Sequence, residues 1–382
     1  IPVPPAGYGG TEEVIDNLAR GLTALGHDVR LFSVGESACP VPPAGYGGTE
    51  EVIDNLARGL TALGHDVVLF TVGASTCPVP RQCLFRSPAE PMGDHFRESA
   101  HVLAAYEALA GEVDIIHDHT DLGPVLAGRR GIARPPVVTT IHGQVTAQNR
   151  RRLAQAARQA SIVAISHAHA RTFGGIPVAA VIHHGIDLNV HKPGPGTGGY
   201  LLFTGRMSPD KGVHRAVRVA RRAGWPLVIA ARIGEPGERV YFEERVRPLL
   251  GPDDDLLAEQ PLAARVDLMG HAAALVNPIT WPEPFGLVMA EALATATPAL
   301  AFPHGAAPEI IDHGRTGYLC RGEDEMTAAV ASVHQISRRQ CRAAAERRFS
   351  LARMAADYER LYRAILERPG RPALERAGTG AP

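Results

Sequence analysis

The chain has 382 residues, of which 45% are hydrophobic and 21% are charged, and its formal net charge at pH 7 is −1. This length and composition are typical of a globular protein with two domains, and the balanced charge argues against a nucleic acid as its partner. No apolar run approaches the roughly 18 residues of a transmembrane helix, and the first residues lack the basic and apolar pattern of a signal peptide, so we expect neither.

The cysteines indicate a reducing environment. They are odd in number and lack the paired spacing of a metal site: Cys39, Cys77, Cys83, Cys320 and Cys341. Reduced thiols are the simplest explanation of this pattern, and we therefore expect a cytoplasmic protein.

The first 77 residues contain a tandem repeat. Residues 2–39 and 40–77 are nearly identical, so that Gly7 corresponds to Gly45, and they differ at four aligned positions: Arg30/Val68, Ser33/Thr71, Glu36/Ala74 and Ala38/Thr76. A solenoid usually needs three or more units, so the repeat indicates a local duplication. Each copy has the pattern of a GYGGTE loop, an amphipathic helix and a strand, which in the second copy is residues 67–72.

Four polar residues follow apolar strand patterns in the first half of the chain. They are His117, Asp118 and His119 after one strand and His142 after the next. H-D-H with a distant histidine loosely matches a zinc or iron site, but this spacing is not diagnostic, and we expect no bound metal.

A basic helix is predicted over residues 148–160. Its arginines are Arg150, Arg151, Arg152 and Arg158. A solvated face is the simpler interpretation, and weak peripheral association with the inner face of a membrane is the alternative. Residues 193–199 are dense in Pro and Gly and predict a linker between two domains.

The second half opens on YLLFTGRMSPDKG, which predicts a strand over residues 200–204 and then a turn around Gly205. Arg206 and Lys211 follow the strand. Two cations at the carboxyl end of a strand can clamp a diphosphate, Arg through paired donors and Lys as a mobile charge.

The stretch WPEPFGLVMAEALATAT, residues 281–297, predicts a loop that leads into a helix between two short apolar strands. Glu283 belongs to the loop and Glu291 to the helix. The free amides at Phe285, Gly286 and Leu287 form an anion site at the helix start, and the two carboxylates can accept hydrogen bonds from sugar hydroxyls.

EPFGLVMAE after a strand, together with Arg206 and Lys211, resembles the E-x7-E signature of retaining glycosyltransferases of family four. The resemblance implies the GT-B fold, with two Rossmann-like α/β domains whose parallel sheets face a cleft. We place the duplicated segment at residues 1–39, the acceptor-side domain at 40–193 and the donor-binding domain at 194–348. A helix at 349–369 then returns to the first domain, and a disordered tail covers 370–382.

The same resemblance implies transfer of a hexose from a nucleotide diphosphate sugar, similar to UDP-glucose or GDP-mannose, to an acceptor hydroxyl. The implied catalytic residues are His142, Glu283, Arg206 and Lys211. The implied donor-binding residues are Gly47, Gly48, Arg206, Lys211, Glu283, Phe285, Gly286, Leu287 and Glu291. No metal or other cofactor is implied, because the cations supply the counter-charge for the diphosphate.

Two departures from the family pattern matter. Family members commonly have Gly where this chain has Ala296. In the family a first strand precedes the GYGGTE loop, and the first copy lacks one. We hypothesise that residues 29–34 supply this strand for the second copy, that Gly47 and Gly48 form the working loop, and that the helix at residues 11–25 is an extra arm.

Two alternatives compete with the transferase. A nucleotide-sugar-binding protein with impaired catalysis would follow if the altered N-terminus disturbs the first domain. A sugar-nucleotide epimerase or a phosphorylase on the same fold is a second alternative. NAD chemistry is disfavoured, because no G-x-G-x-x-G follows a strand with an acidic residue about 20 positions later.

Overall fold

The structure, a computed structural model, describes residues 30–34, 40–43, 47–88, 95–108, 113–120, 123–127 and 135–367. The predicted helix at residues 11–25 and the predicted disordered tail at 370–382 lie outside these ranges.

Two parallel sheets organise the described residues. The strands of the first are β1 (Arg30–Val34), β2 (Asp66–Phe70), β3 (Arg81–Gln82), β4 (Ile115–Asp118), β5 (Val137–Thr140), β6 (Ser161–Ala164) and β7 (Ala180–Val181). The strands of the second are β8 (Leu201–Arg206), β9 (Leu227–Arg232), β10 (Asp255–Leu257), β11 (Ala274–Asn277), β12 (Ala299–Ala301) and β13 (Gly317–Leu319). Their spatial orders are β3-β2-β1-β4-β5-β6-β7 and β10-β9-β8-β11-β12-β13.

Helices cover these sheets and connect the strands. In the first unit they are α1 (Gly48–Ala62), α2 (His95–Ala108), α3 (Gly123–Ala127), α4 (Arg150–Ala156) and α5 (His167–Thr172). In the second they are α6 (Val213–Ala223), α7 (Pro236–Tyr241), α8 (Leu262–His271), α9 (Leu287–Ala294), α10 (Ala307–Ile310), α11 (Glu323–Ser332) and α12 (Arg338–Arg348), and α13 (Leu351–Leu366) ends the described chain. A π-helical turn (Phe242–Val246) and 3₁₀ turns (Arg247–Leu249 and Val333–Gln335) complete them.

The strand of the first repeat copy pairs inside the main sheet. β1 lies between β2 and β4 and is parallel to both, with Phe32 opposite Val68 and Ile116. Because β1 precedes α1 and β2, the strand of copy one and the helix and strand of copy two form one βαβ crossover unit. The pairing required by the first-strand hypothesis is therefore present for Arg30–Val34.

Some elements differ in the structure from the limits that the sequence pattern predicted. β8 extends through Gly205 and Arg206, which were expected in a turn, because Arg206 continues the register opposite Arg232. The strand β10 and the start of α8 lie in a stretch, residues 251–264, where the sequence pattern assigned no element.

The last helix returns to the first unit. Tyr358 and Tyr362 on α13 are buried in the same apolar core as Ile53 and Leu56 on α1. The hydroxyl of Tyr358 lies 2.8 Å from Oγ1 of Thr140, at the end of β5. The expected crossing is thus present, whereas the numerical domain boundaries stay predictions.

Candidate active site

A cavity of about 440 Å³ opens between the two units at the carboxyl ends of their strands. All the residues that the sequence assigned to a donor site line it: Gly47, Gly48, His142, Arg206, Lys211, Glu283, Phe285, Gly286, Leu287 and Glu291. Both units contribute to its walls, and its volume is in the range of small-molecule sites.

The loop from Glu283 to Leu287 is shaped by Gly286. Gly286 is the N-cap residue of α9 and has φ 90°, a conformation that residues with a side chain rarely adopt. A Cβ atom there would also lie 2.5 Å from Cε of Met289. The glycine therefore lets the loop turn directly into the helix and brings Glu283 and Leu287 to the same cavity.

Contacts from both units hold this loop in place. The carbonyl of Glu283 accepts a hydrogen bond from the amide of Ala306 at 3.0 Å. The carbonyl of Pro284 accepts one from Oγ of Ser166, in the first unit, at 2.6 Å. The next residue, Phe285, is 2% exposed, so both units hold the backbone of this loop in place.

Gly47 and Gly48 line the cavity from the first unit. They were expected in a loop, but Gly47 is the N-cap residue of α1 and Gly48 is its first residue. A Cβ atom on Gly48 would lie 3.0 Å from Cδ1 of Leu287, so the glycine lets the start of α1 pack close to the loop of residues 283–287.

Lys211 and Glu283 form an ion pair on the second-unit wall. Nζ of Lys211 donates a hydrogen bond to Oε2 of Glu283 at 2.7 Å, and the two side chains are 12% and 16% exposed. Nζ of Lys211 also lies 5.2 Å from the ring centroid of Trp281. A cation and a carboxylate are thus in contact, and both are largely shielded from solvent.

Arg206 lies at the end of β8 near the same wall. Its guanidinium is 3.7 Å from Oδ2 of Asp210 and 3.7 Å from Oε1 of Glu238. Because 36% of the Arg206 side chain remains exposed, its donors are accessible to an anion in the cavity.

A second charged cluster bridges the two units beside Glu291. Nη2 of Arg265 lies 3.3 Å from Oε2 of Glu51, on α1, and 3.7 Å from Oε1 of Glu291, on α9. Burial, and then the charge of Glu291, raise the pKa of Glu51 to about 7, against the lowering effect of Arg265. The two carboxylates therefore share one guanidinium.

Among the described residues, one group of side chains could hold a metal ion, and it includes both carboxylates of this cluster. Ligand atoms of Glu51, His191 and Glu291 all lie within 4.8 Å of one another. Arg265 already supplies a positive charge between the two carboxylates, so the cluster fits an internal ion pair better than a metal centre. The sequence missed the cluster, because Glu51, Arg265 and Glu291 come from three distant segments.

His142 lies against other histidines of the first unit. Its Nε2 atom is 3.0 Å from Nδ1 of His119, and its ring stacks on His184 at a centroid distance of 5.2 Å. Burial lowers the pKa of His142 to about 3 and the pKa values of His119 and His184 well below their ordinary value. These rings are therefore neutral around pH 7.

The first two residues of the H-D-H motif, His117 and Asp118, are hydrogen-bonded to other groups of the protein. Asp118 accepts hydrogen bonds from the hydroxyl of Tyr106 at 2.6 Å and from the amide of Thr120 at 2.6 Å. His117 contacts Oγ1 of Thr140 at 2.8 Å and the hydroxyl of Tyr362 at 2.7 Å. The motif thus supports the sheet edge beneath His142.

Two parallel-stranded α/β units that face a cleft define the GT-B architecture, and the cleft combines cations, carboxylates and the glycines at the start of α1. Residues 46–190 match the family model described as Glycosyltransferase Family 4, and residues 190–350 match the one described as Glycosyl transferases group 1. The chain therefore belongs to these families of GT-B glycosyltransferases.

One curated relative is D-inositol 3-phosphate glycosyltransferase of Acidothermus cellulolyticus. It is 29% identical over 262 residues, which are 56% of this chain and 57% of the relative. The chain spans about half the length of the curated relatives it matches.

Solved structures share the fold over most of the chain. AviGT4, a glycosyltransferase involved in avilamycin A biosynthesis, is 26% identical with a TM-score of 0.66, over 88% of this chain and 98% of that one. HepE of Anabaena, in complex with UDP-glucose, is 19% identical with a TM-score of 0.71, over 88% of this chain and 100% of that one. Within the described ranges, no helix has the length and apolar character to cross a bilayer.

Proposed function

We propose that the chain is a retaining hexosyltransferase, which moves a hexose from a nucleotide diphosphate sugar to an acceptor hydroxyl. The observation that carries the proposal is the Lys211–Glu283 pair, at 2.7 Å, on one wall of a cavity whose other wall includes Gly47 and Gly48. Lys211 is suited to bind a diphosphate and Glu283 is suited to bind sugar hydroxyls. The two groups are adjacent, as the diphosphate and the sugar are in a nucleotide diphosphate sugar.

In this reaction the bond between the anomeric carbon and the diphosphate oxygen breaks, and its electron pair leaves with the diphosphate. The acceptor oxygen bonds to the same carbon, and its proton passes to the leaving diphosphate. Arg206 and Lys211 stabilise the negative charge that grows on the leaving group. Removing one preorganised donor of this kind costs about 10²- to 10³-fold in rate.

The carboxylates have separate roles in the proposal. Glu283 accepts hydrogen bonds from the hydroxyls of the transferred sugar, and Glu291, beside Arg265, accepts those of the ribose. Because Glu291 is assigned to the ribose, the pair does not act as the acid and nucleophile of a retaining glycosidase. His142, Gly47 and Gly48 orient the sugar and the phosphates.

The proposed donor is a UDP-hexose similar to UDP-glucose, and a GDP-mannose-like donor is second. A UDP-glucose complex of a protein with the same fold supports this order. Since Arg206 and Lys211 supply the counter-charge, the proposal needs no metal, and turnover is expected to continue in EDTA.

The alternative enzymes are less well supported by the site. An epimerase needs acid and base groups around the sugar, whereas burial keeps the pKa of His142 at about 3. A phosphorylase would bind inorganic phosphate as acceptor. The binding protein without catalysis is the stronger alternative, and it is an outcome of the experiment below.

The test measures nucleotide binding and nucleotide release from UDP-, GDP- and ADP-sugars, with and without EDTA. Lys211→Ala is expected to weaken nucleotide binding and to lower release about 10²- to 10³-fold. Glu283→Ala is expected to keep the binding of the free nucleotide but to lose sugar release. Lys192→Ala changes the only other lysine, which is exposed, and serves as the matched control.

Binding of one nucleotide without release of any sugar would favour the binding protein and overturn the enzymatic proposal. Product formation with an acceptor allows the anomeric configuration to be read by proton NMR. An inverted product would refute the retaining mechanism while leaving the donor assignment intact.

A further inference from the structure

A column of stacked and tilted rings runs from the core of the first unit to Phe285, in the loop of residues 283–287 of the second unit. Ring centroids are 4.1 Å apart between His117 and His119, 5.3 Å between His119 and His142, and 5.2 Å between His142 and His184. The column ends on Phe285, whose ring centroid is 5.1 Å from that of His184. The ring of His142 is therefore held from both sides.

One hydrogen bond in this column specifies more than packing. Nδ1 of His119 lies 3.0 Å from Nε2 of His142, and burial lowers the pKa of both rings, which are therefore neutral at pH 7. A hydrogen bond between two neutral imidazoles requires one ring to donate and the other to accept. The contact thus holds the ring plane of His142 and couples its tautomer to that of His119, since a proton on one of the two facing nitrogens requires a lone pair on the other.

A histidine at position 119 carries a free-energy penalty that an apolar side chain of similar size would not carry. Its second nitrogen, Nε2, is buried without a hydrogen-bond partner among the described residues, and His119 is 3% exposed. A buried polar atom without a partner is unfavourable, and an apolar side chain would avoid this penalty. The contact with His142 is the feature that an apolar residue would lack.

We propose that His119 is a positioning residue of the transferase, which holds the ring plane of His142 at the donor site and couples the tautomers of the two rings. This inference rests on the proposed function, because it assigns His119 an effect on turnover through His142. His119 itself does not line the cavity, whereas His142 and His184 do. The H-D-H motif therefore contributes to the site through its last residue.

The first test is a double-mutant cycle on turnover. His119→Leu is expected to lower the rate of sugar transfer about 10- to 100-fold with little change in nucleotide affinity, since small misplacements of a site group cost about this much. His119→Asn keeps a donor and an acceptor close to the position of Nδ1 and is expected to restore most of the rate. His65→Asn, at a buried histidine outside the cavity, is the control for a general loss of stability.

The cycle distinguishes positioning from structural damage. If His119 acts through His142, the variant with both His119→Leu and His142→Ala loses no more rate than His142→Ala alone. Independent losses that multiply, or no rescue by His119→Asn, would overturn the proposal.

A second readout does not depend on turnover. In ¹⁵N-histidine NMR of the full chain, the His142 and His119 signals, assigned by comparison with His142→Ala and His119→Leu, are expected to show opposite protonation of the two facing nitrogens. In His119→Leu the His142 signals are expected to shift, because Nε2 of His142 loses its hydrogen-bond partner. Identical spectra would overturn the positioning role, whereas a wild-type chain without turnover on any donor but with these spectra would overturn only the proposed function.

Discussion

Glu309 offers the most quantitative test of how the two units are joined. It lies on α10 of the second unit, and its carboxylate accepts hydrogen bonds from the amides of His167 and Ala168 at 2.9 and 2.6 Å. Those amides begin α5 of the first unit. Nε2 of His183, also in the first unit, lies 2.9 Å from the same carboxylate. The substitution Glu309→Gln removes the charge and keeps the size.

The size of the effect follows from the pKa. Burial raises the pKa of Glu309, but the hydrogen bonds from His183, His167 and Ala168 outweigh it and lower the pKa from 4.5 to about 2. Such a difference between the folded and unfolded chain corresponds to about 3 kcal/mol at neutral pH. Because the side chain is 18% exposed, we expect about 2 kcal/mol after allowance for screening by solvent.

The sign of the pH dependence is fixed by the direction of the shift. A carboxylate with a lowered folded-state pKa stabilises the protein above its unfolded pKa of 4.5, and this contribution is lost as the pH falls toward 2. Glu309→Gln should therefore be less stable than wild type at pH 7, and the difference should fall to less than half at pH 3.

Urea unfolding measures this difference, followed by circular dichroism and by the fluorescence of Trp225 and Trp281. Coincident curves from the two probes are needed before a free energy is taken. Glu243→Gln is the control, because Glu243 pairs with Arg247 on the surface and is 45% exposed, so that little change is expected. A difference that is the same at pH 7 and pH 3 would refute the reasoning.

Two further stability predictions follow from single residues. Burial raises the pKa of Glu51 to about 7, so between pH 4.5 and 7 the folded chain keeps a proton that the unfolded chain releases, and the stability of the protein falls as the pH rises through this range. Glu51→Gln should therefore be more stable than wild type at pH 8 and equally stable at pH 4. Equal melting temperatures at pH 8 would contradict this prediction. Ala296 has φ 64° after the end of α9, where the amides of Ala296 and Thr297 bond the carbonyls of Leu293 and Ala292. Ala296→Gly should raise the unfolding free energy by about 0.5 to 1 kcal/mol, since the left-handed conformation costs an alanine more than a glycine, and a lower melting temperature would contradict it.

Local patterns were sufficient to predict the loop that carries Glu283 and the helix that carries Glu291. Glu283 and Glu291 were placed on a loop and a helix because Gly286 interrupts the apolar pattern just before the helix formers begin. Arg206 and Lys211 were placed at the carboxyl end of a strand by the local pattern, and the family resemblance implied that they act together with this loop. These are statements about neighbours in sequence, and the structure brings the corresponding side chains to one cavity.

Contacts between distant segments were not visible in the sequence. Glu309 binds the start of α5 in the other unit, and the two residues of this contact are 141 positions apart in the chain. Arg265 follows a stretch to which the sequence assigned no element, and its two carboxylate partners lie 3.3 and 3.7 Å away on separate helices. His119 was considered as a metal ligand, and it contacts His142 instead.

The sequence by itself therefore predicted the strands, the helix and the loop around Glu283, because these depend on the order and spacing of neighbouring residues. The family resemblance implied the ten candidate site residues, and the structure places all of them along one cavity. The structure confirmed the hypothesis that Arg30–Val34 pairs inside the first sheet, where it fills the third position, whereas the tertiary structure alone decided which charges meet across the cleft. Strand pairing and domain packing join residues that are far apart in the chain, and their partners are selected by the burial of whole surfaces, which no local pattern records.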